Sequence, residues 1–247
     1  MASNAPGDCC RKGYVYGGTP AGEFTTFAGT PIYVAEPAAG KSATKAILYL
    51  TDIFGLPITN HKLIADQFAG RGFLTLVPDL FNDDPAPYPN PADWDLLNWL
   101  KSHDIEHTEP VINKAFDLIK ASYPSVTEIH AVGYCFGAKY VVRLLGEGRI
   151  NSGFVAHPSL ITEDELKAIK GPLSIAAAET DHIFPAEKRH LSEQILIDIK
   201  ATYFLSLYSG VTHGFAVRGD LEDAEVIWAQ EQAFEQALTW FARFAKK

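Results

Sequence analysis

A cysteine between two glycines is the residue of this chain best placed to do chemistry. The segment Gly133-Tyr134-Cys135-Phe136-Gly137 reads G-x-C-x-G, which is the pattern of a nucleophile elbow with cysteine where serine is usual. Apolar, β-branched residues precede it and residues with helical spacing follow, which predicts a strand, a sharp turn and a helix. Such a turn presents the thiol and aims the N–H of Phe136 at an oxyanion. The alternative is a buried structural cysteine, because free cysteine is often buried.

An acid and a histidine follow two later predicted strands. Residues 174–179 are expected to form a buried strand that leads to Asp181, and residues 202–207 another that leads to His213. Nucleophile, acid and histidine then occur in the chain order of an α/β-hydrolase triad. Because the carboxyl ends of parallel strands meet in one crevice, the three side chains are expected to lie together.

The loop after the predicted strand of residues 46–50 is expected to serve the same chemistry. An α/β hydrolase takes its second oxyanion N–H from this loop, and Ile53 is the candidate donor. Asp52 is the only acid in the loop and is expected to face the crevice. Taken alone, Asp52 is better explained as a loop or cap residue.

The remaining chain supplies the elements that would position these residues. Predicted strands alternate with predicted helices, which indicates an α/β fold with a mostly parallel central sheet and helices on both faces. We expect one domain over residues 1–247, with residues 1–30 as an N-terminal arm. Further strands are predicted at 31–35, 73–79 and 154–156, helices at 63–69, 111–121, 185–197 and 221–244, and an irregular loop at 80–91.

Composition narrows the classes of partner and compartment. The chain has 247 residues, 47% of them hydrophobic, and a formal charge of −9. This charge argues against a nucleic-acid partner, and no apolar run approaches the ~20 residues of a membrane helix. The N-terminus lacks the features of a signal peptide, and three cysteines fit a reducing compartment. We therefore predict a cytoplasmic protein, monomeric or homodimeric, that acts on a small molecule.

Two other groups of residues contain side chains that could bind a metal or take part in redox chemistry. His103, Glu106 and His107 form a literal H-x-x-E-H, which in inverzincins binds zinc. The Glu109-Pro110 pair predicts that the motif lies at a helix entry, where a solvated polar connector explains it better than a metal site. The adjacent pair Cys9-Cys10 falls short of a zinc site, so we expect no metal.

The sequence resembles the dienelactone hydrolase family of α/β hydrolases over nearly its whole length. Its first residues, with Cys9-Cys10 and the glycines that follow, look like those of fungal members. The matching segments are Thr51-Asp52-Ile53-Phe54-Gly55, Val77-Pro78-Asp79-Leu80-Phe81, Gly133-Tyr134-Cys135-Phe136-Gly137, Asp181 and His213-Gly214-Phe215.

The resemblance implies a hydrolase of esters or lactones that forms an acyl-cysteine intermediate and uses no cofactor. It implies Cys135 as the nucleophile, His213 as the base and Asp181 as the group that orients the base. Phe136 and Ile53 would then form the oxyanion hole. Residues expected to assist or to bind substrate are Asp52, Phe54, Phe81, Tyr134, Phe215 and Arg218.

The chain also departs from the family pattern. Asp52 replaces a glutamate that helps to deprotonate the thiol, and Asn82-Asp83-Asp84 stands where an arginine is expected. Arg218 lies one position later than the pattern expects. These differences favour a neutral or bulkier ester. The alternative functions are a non-catalytic or redox-sensing α/β-hydrolase-like binding protein and a zinc hydrolase using His103, Glu106 and His107.

Overall fold

The computed structural model of the protein describes residues 2–5, 13–38, 43–91 and 93–245. They form two compact units, one of Val15–Ile129 and one of Met1–Tyr14 with His130–Lys247. Strands are interspersed with helices along both units, which is the pattern of an α/β protein. The organisation as a single domain stays a prediction.

The described residues of the unit 15–129 form four strands and three helices. These are β1 (Glu23–Phe27), β2 (Thr30–Ala35), β3 (Lys45–Leu50), α1 (Thr59–Gly70), β4 (Leu74–Pro78), α2 (Leu96–Lys101) and α3 (Ile105–Ser122). β1 and β2 form an antiparallel hairpin, β2 is antiparallel to β4, and β4 runs parallel to β3. All of β4 is buried and all of β3 except its first residue, so both faces of these strands are covered.

The unit that contains residues 130–247 has four parallel strands in the order β5-β6-β7-β8. Its elements are β5 (Glu128–Tyr134), α4 (Phe136–Glu147), β6 (Ser152–Ala156), α5 (Glu163–Lys167), β7 (Leu173–Thr180), α6 (Ala186–Asp198), β8 (Tyr203–Thr212), α7 (Phe215–Arg218) and α8 (Ala224–Arg243). β6 is buried along its whole length. The predicted α/β class with mostly parallel strands is confirmed.

Several predicted boundaries differ from the structure. β8 continues to Thr212, because its pairing with β7 resumes at Thr180 after an irregularity. α8 begins at Ala224, since the Asp223 side chain caps it by accepting from the N–H of Glu225. Trp228 of this helix is 55% exposed, whereas Trp240 and Phe241 are buried.

The helix predicted at 111–121 begins earlier than expected, inside the H-x-x-E-H motif. Asp104 caps α3 by accepting from the N–H of His107, so the helix starts at Ile105 and holds Pro110 at its sixth position. The predicted position of the motif at a helix entry is confirmed, whereas the predicted solvated character is wrong for the buried His103. Among the helices of the described ranges, none combines the length and apolar character needed to cross a bilayer.

Candidate active site

Cys135 occupies the turn between β5 and α4, as the glycine spacing predicts. Its backbone has φ 49° and ψ −105°, a conformation that costs a non-glycine residue free energy and is common at functional sites. A Cβ added to Gly133 would lie 2.7 Å from the carbonyl oxygen of Gly137 and 2.8 Å from Cα of Ala138. The strand and the helix therefore approach backbone to backbone, and this holds the turn in its strained form.

Asp181 and His213 directly follow β7 and β8, and their side chains form a buried pair. His213 Nδ1 lies 2.8 Å from Asp181 Oδ2, and because a carboxylate only accepts, Nδ1 is the donor. The other oxygen, Oδ1, accepts from the N–H groups of Ile183 and Phe184 at 2.8 and 3.0 Å. Both carboxylate oxygens are held, so the orientation of the imidazole is fixed.

The charges around His213 stabilise its protonated form. Burial by itself lowers the pKa of His213, but negative charge at Cys135 and Asp181 and hydrogen bonds to both outweigh burial and raise it to about 10. Burial would raise the pKa of Asp181, yet His213 and the two backbone donors hold it below its usual value. The site therefore favours an imidazolium between two negative groups.

The His213 ring also interacts with Cys135. Nε2 is buried and makes no hydrogen bond of regular geometry to any described residue, whereas Cys135 acts on the ring by charge and by hydrogen bonding. Both observations fit a thiol–imidazole contact longer than a regular hydrogen bond. Such long contacts are common in the resting state of enzymes and tighten when substrate binds.

Ser159 is a neighbour of the thiol that sequence reasoning missed. Cys135 Sγ donates to Ser159 Oγ at 3.6 Å, and the N–H of Ser159 donates to the carbonyl of Cys135 at 3.1 Å. Ser159 is fully buried and lies three residues beyond the end of β6. Its position after a strand that neighbours β5 is the one signal that could have pointed to it.

His157 directly follows β6 and packs against the ring of His213. Its ring centroid is 4.9 Å from that of His213 and 5.8 Å from that of Phe215. Tyr134, the last residue of β5, lies 6.0 Å from His157, and burial raises the pKa of its hydroxyl. Phe136 is the first residue of α4, where backbone N–H groups lack partners within the helix.

Arg218 is buried at the end of α7, although it was expected to bind substrate. A Cβ on Gly13 would lie 2.9 Å from Arg218 Nη1, and one on Gly214 would lie 3.0 Å from Nη2. The N–H of Tyr14 donates to the carbonyl of Arg218 at 3.0 Å. Gly13 and Gly214 thus leave room for the guanidinium, and its side chain is 2% exposed.

In the unit of residues 15–129, Asp52 belongs to a buried chain of hydrogen bonds. Its Oδ1 accepts from His61 Nε2 at 2.9 Å and from the N–H of Phe54 at 3.0 Å. The Tyr49 hydroxyl lies 3.0 Å from Nδ1 of His61. All of these side chains are buried. Sequence reasoning singled out Asp52 but not His61 or Tyr49.

The loop of residues 79–91 packs on the segment that contains Ile53 and Phe54. The N–H of Ala86 donates to the carbonyl of Ile53 at 2.9 Å, and the Phe54 ring contacts Tyr88 at a centroid distance of 5.1 Å. Phe81 is buried against Trp99, with ring centroids 5.1 Å apart. Trp99 is itself buried, so its ring packs inside this unit.

The two histidines of the H-x-x-E-H motif contact other side chains and the backbone. His103 stacks on Trp99 at 4.1 Å, and its Nδ1 lies 2.8 Å from the carbonyl oxygen of Trp99. His107 is exposed and pairs with Asp104 at 2.7 Å. Within the described ranges, no three His, Cys, Asp or Glu side chains are grouped so that they could hold a metal ion. Cys9 and Cys10 lie outside the described residues.

Comparison with known proteins relates the chain to one family. The model of the dienelactone hydrolase family matches residues 31–245. Hydrolase pyvD of Aspergillus violaceofuscus is 45% identical over the full length of both chains, and hydrolase tropI of Talaromyces stipitatus is 44% identical, also over both full lengths. A dienelactone hydrolase of Gibberella moniliformis is 33% identical over 94% of this chain and 91% of its own.

Solved structures show the same fold. A dienelactone hydrolase-like promiscuous phosphotriesterase from metagenomic libraries superposes with a TM-score of 0.74 at 16% identity, covering 91% of this chain and 98% of its own. A propionate-bound thermophilic esterase from Thermogutta terrifontis has a TM-score of 0.68 at 17% identity, covering 92% and 97%. The chain has the α/β-hydrolase fold. It belongs to the dienelactone hydrolase family, whose members hydrolyse esters and lactones.

Proposed function

We propose that this hydrolase cleaves esters or lactones with Cys135 as the nucleophile, His213 as the base and Asp181 as the residue that orients the base. The observation that carries the proposal is the imidazole of His213, which is held by a buried carboxylate and has its pKa raised by charge at Cys135. An unperturbed thiol, with a pKa of about 8.5, is only a few per cent thiolate at neutral pH. A neighbouring imidazolium increases that fraction.

The reaction follows from these positions. The Cys135 thiolate attacks the carbonyl carbon, and the carbonyl oxygen takes the negative charge. As the intermediate collapses, the C–O bond to the leaving group breaks and imidazolium donates its proton to the departing oxygen. The acyl-cysteine remains. His213 then takes a proton from water, hydroxide attacks the acyl carbon, and the sulfur leaves as thiolate, which restores the ion pair.

We assign two backbone N–H groups as hydrogen-bond donors to this oxyanion. The N–H of Phe136 follows the nucleophile at the start of α4, where the positive end of the helix dipole adds to its effect. The N–H of Ile53 is the second donor, because it lies in the loop after β3 from which this fold takes it. One such donor is typically worth about 3 kcal/mol of transition-state stabilisation.

The substrate class follows from the nucleophile and from the charges near the expected binding residues. A thiolate is a good leaving group, so the tetrahedral adduct expels it unless the leaving group of the substrate is better. Enol esters, enol lactones and aryl esters meet that condition. The segment Asn82-Asp83-Asp84 adds negative charge where the family pattern has an arginine, and Arg218 is buried against Gly13 and Gly214. We assign a small neutral substrate, with Phe54, Phe81, Tyr134 and Phe215 as apolar contacts.

Mass spectrometry of the intact protein tests the nucleophile directly. The protein is mixed with a panel of activated esters and lactones, quenched in acid, and searched for an acyl adduct on Cys135. Cys135→Ala is expected to lose both the adduct and turnover, with a melting temperature close to that of the wild type. Turnover that survives in Cys135→Ala would exclude the proposed nucleophile.

A further inference from the structure

Residues 2–5 lie against two loops, one that carries a residue of the proposed triad and one that carries a hydrogen-bond partner of the proposed nucleophile. Ala2 and Ser3 are fully buried and belong to the same compact unit as residues 130–247. One loop, residues 157–161, follows β6 and contains Ser159, the hydrogen-bond partner of the Cys135 thiol. The other loop, residues 181–184, follows β7 and contains Asp181.

Three hydrogen bonds join this segment to the Ser159 loop. The N–H of Ser3 donates to the carbonyl of Ile161 at 3.1 Å, and the N–H of Ile161 donates back to Ser3 Oγ at 2.9 Å. The N–H of Leu160 donates to the carbonyl of Asn4 at 2.9 Å. The two residues that follow Ser159 are therefore held by Ser3 and Asn4.

Two more hydrogen bonds join the segment to the Asp181 loop, and both come from Asn4. Its backbone N–H donates to the carbonyl of Ile183 at 2.8 Å, and its side-chain Nδ2 donates to the carbonyl of His182 at 3.1 Å. Ile183 in turn donates its own N–H to Asp181 Oδ1. Asn4 is thus bonded to the Ser159 loop by its carbonyl and to the Asp181 loop by two donors.

We infer that residues 2–5 act as a clasp that sets the alignment of Cys135 with His213, and that Asn4 is its positioning residue. The inference rests on the proposed function of Cys135, Asp181 and His213. His213 moves with Asp181 because its Nδ1 is bonded there, and the thiol is placed by Ser159. A change in the spacing of the two loops shifts the sulfur relative to the imidazole, and small displacements in such pairs cost rate steeply.

The test compares Asn4→Ala with Ser192→Ala. Ser192 donates to the carbonyl of Ala2 at 3.3 Å and to that of Lys188 at 2.9 Å, so it contacts the segment at Ala2, whereas the bonds to the two loops are made by Ser3 and Asn4. We expect Asn4→Ala to lower kcat on an activated aryl ester about 10-fold with KM little changed. Its profile of Cys135 alkylation by iodoacetamide should move to higher pH. Ser192→Ala should match the wild type in both measurements.

The outcomes distinguish a failure of the clasp from a failure of the proposed function. If Asn4→Ala has the kcat and the alkylation profile of Ser192→Ala, the clasp is refuted. If Cys135→Ala keeps its activity, the proposed function fails instead. Should Asn4→Ala not fold, Ser3→Ala, which removes the acceptor for Ile161, is judged by the same two measurements. If a stabilising substitution elsewhere in the chain restored the kcat of Asn4→Ala, the loss would come from reduced stability, and the clasp would be refuted.

Discussion

At the scale of single residues, the proposed reactivity depends on how three buried groups share one proton. The His213 ring is hydrogen-bonded to the Asp181 carboxylate, its pKa responds to charge at Cys135, and all three residues are buried. In such surroundings an unpaired charge is costly, whereas a paired charge interacts more strongly than in water. The protonated ring is therefore stable only while both negative partners are present.

This arrangement predicts the titration of His213. In the wild type, ¹⁵N NMR should show a protonated ring up to about pH 10. The stabilisation of the fold from this proton is fully present below the unfolded pKa of about 6.5 and is lost as pH rises through about 10. In Cys135→Ala the negative charge of the thiolate, which raises the pKa of His213 in the wild type, is absent, so that pKa should be lower in the variant. Equal values in the two proteins would contradict the thiolate–imidazolium pair.

At the scale of elements, the elbow depends on the close approach of β5 and α4. Gly133→Ala would place a Cβ against the backbone of Gly137 and Ala138, and backbone cannot move aside as a side chain can. We expect a loss of roughly 1–3 kcal/mol in the free energy of unfolding, together with reduced alkylation of Cys135. Urea denaturation and thiol labelling measure the two effects.

Gly146, which lies in α4, provides a control for the addition of a Cβ. Its nearest neighbour to an added Cβ is the carbonyl oxygen of Ala168 at 3.4 Å, an ordinary contact. Gly146→Ala should stabilise the protein by about 0.5–1 kcal/mol, because alanine is the better helix former. If Gly133→Ala and Gly146→Ala were equally stable, the close approach of β5 and α4 would not be what holds the elbow in its conformation.

The loop after β3 is stabilised by the chain of Asp52, His61 and Tyr49. His61→Phe removes one of the donors to a buried carboxylate and should cost about 3 kcal/mol of unfolding free energy, since a hydrogen bond to a charged group is lost. Tyr49→Phe removes one hydroxyl and should cost about 1 kcal/mol. Denaturant unfolding measures both, and a larger loss in Tyr49→Phe than in His61→Phe would overturn this order.

At the scale of the whole molecule, net charge bears on which esters reach the site. The formal charge of −9 repels anionic substrates, and salt screens that repulsion with a Debye length of about 10 Å at 0.1 M. The kcat/KM of a carboxylate-bearing aryl ester should therefore rise with ionic strength relative to its neutral analogue. A steady-state series from low to high salt measures the ratio, and a flat ratio would show that charge does not select the substrate.

The elbow and the order of the candidate triad were predictable because both are local. The spacing of Gly133, Cys135 and Gly137 specifies a strand–turn–helix, and Asp181 and His213 directly follow apolar runs that only strands explain. Ser159, His61 and Asn4 could not be found in that way. Each of them acts through a contact with a residue more than eight positions away in sequence. The residues adjacent to it in the chain do not indicate that contact.

The sequence by itself determined the α/β class, the family and the residues at the strand ends, because periodicity and glycine spacing act over a few residues. Only the tertiary structure decided which face of α8 is buried, why His103 lies inside, and which groups surround the thiol. Those outcomes depend on free energies of packing and hydrogen bonding between distant segments. Such energies exist only once the chain has brought the segments together.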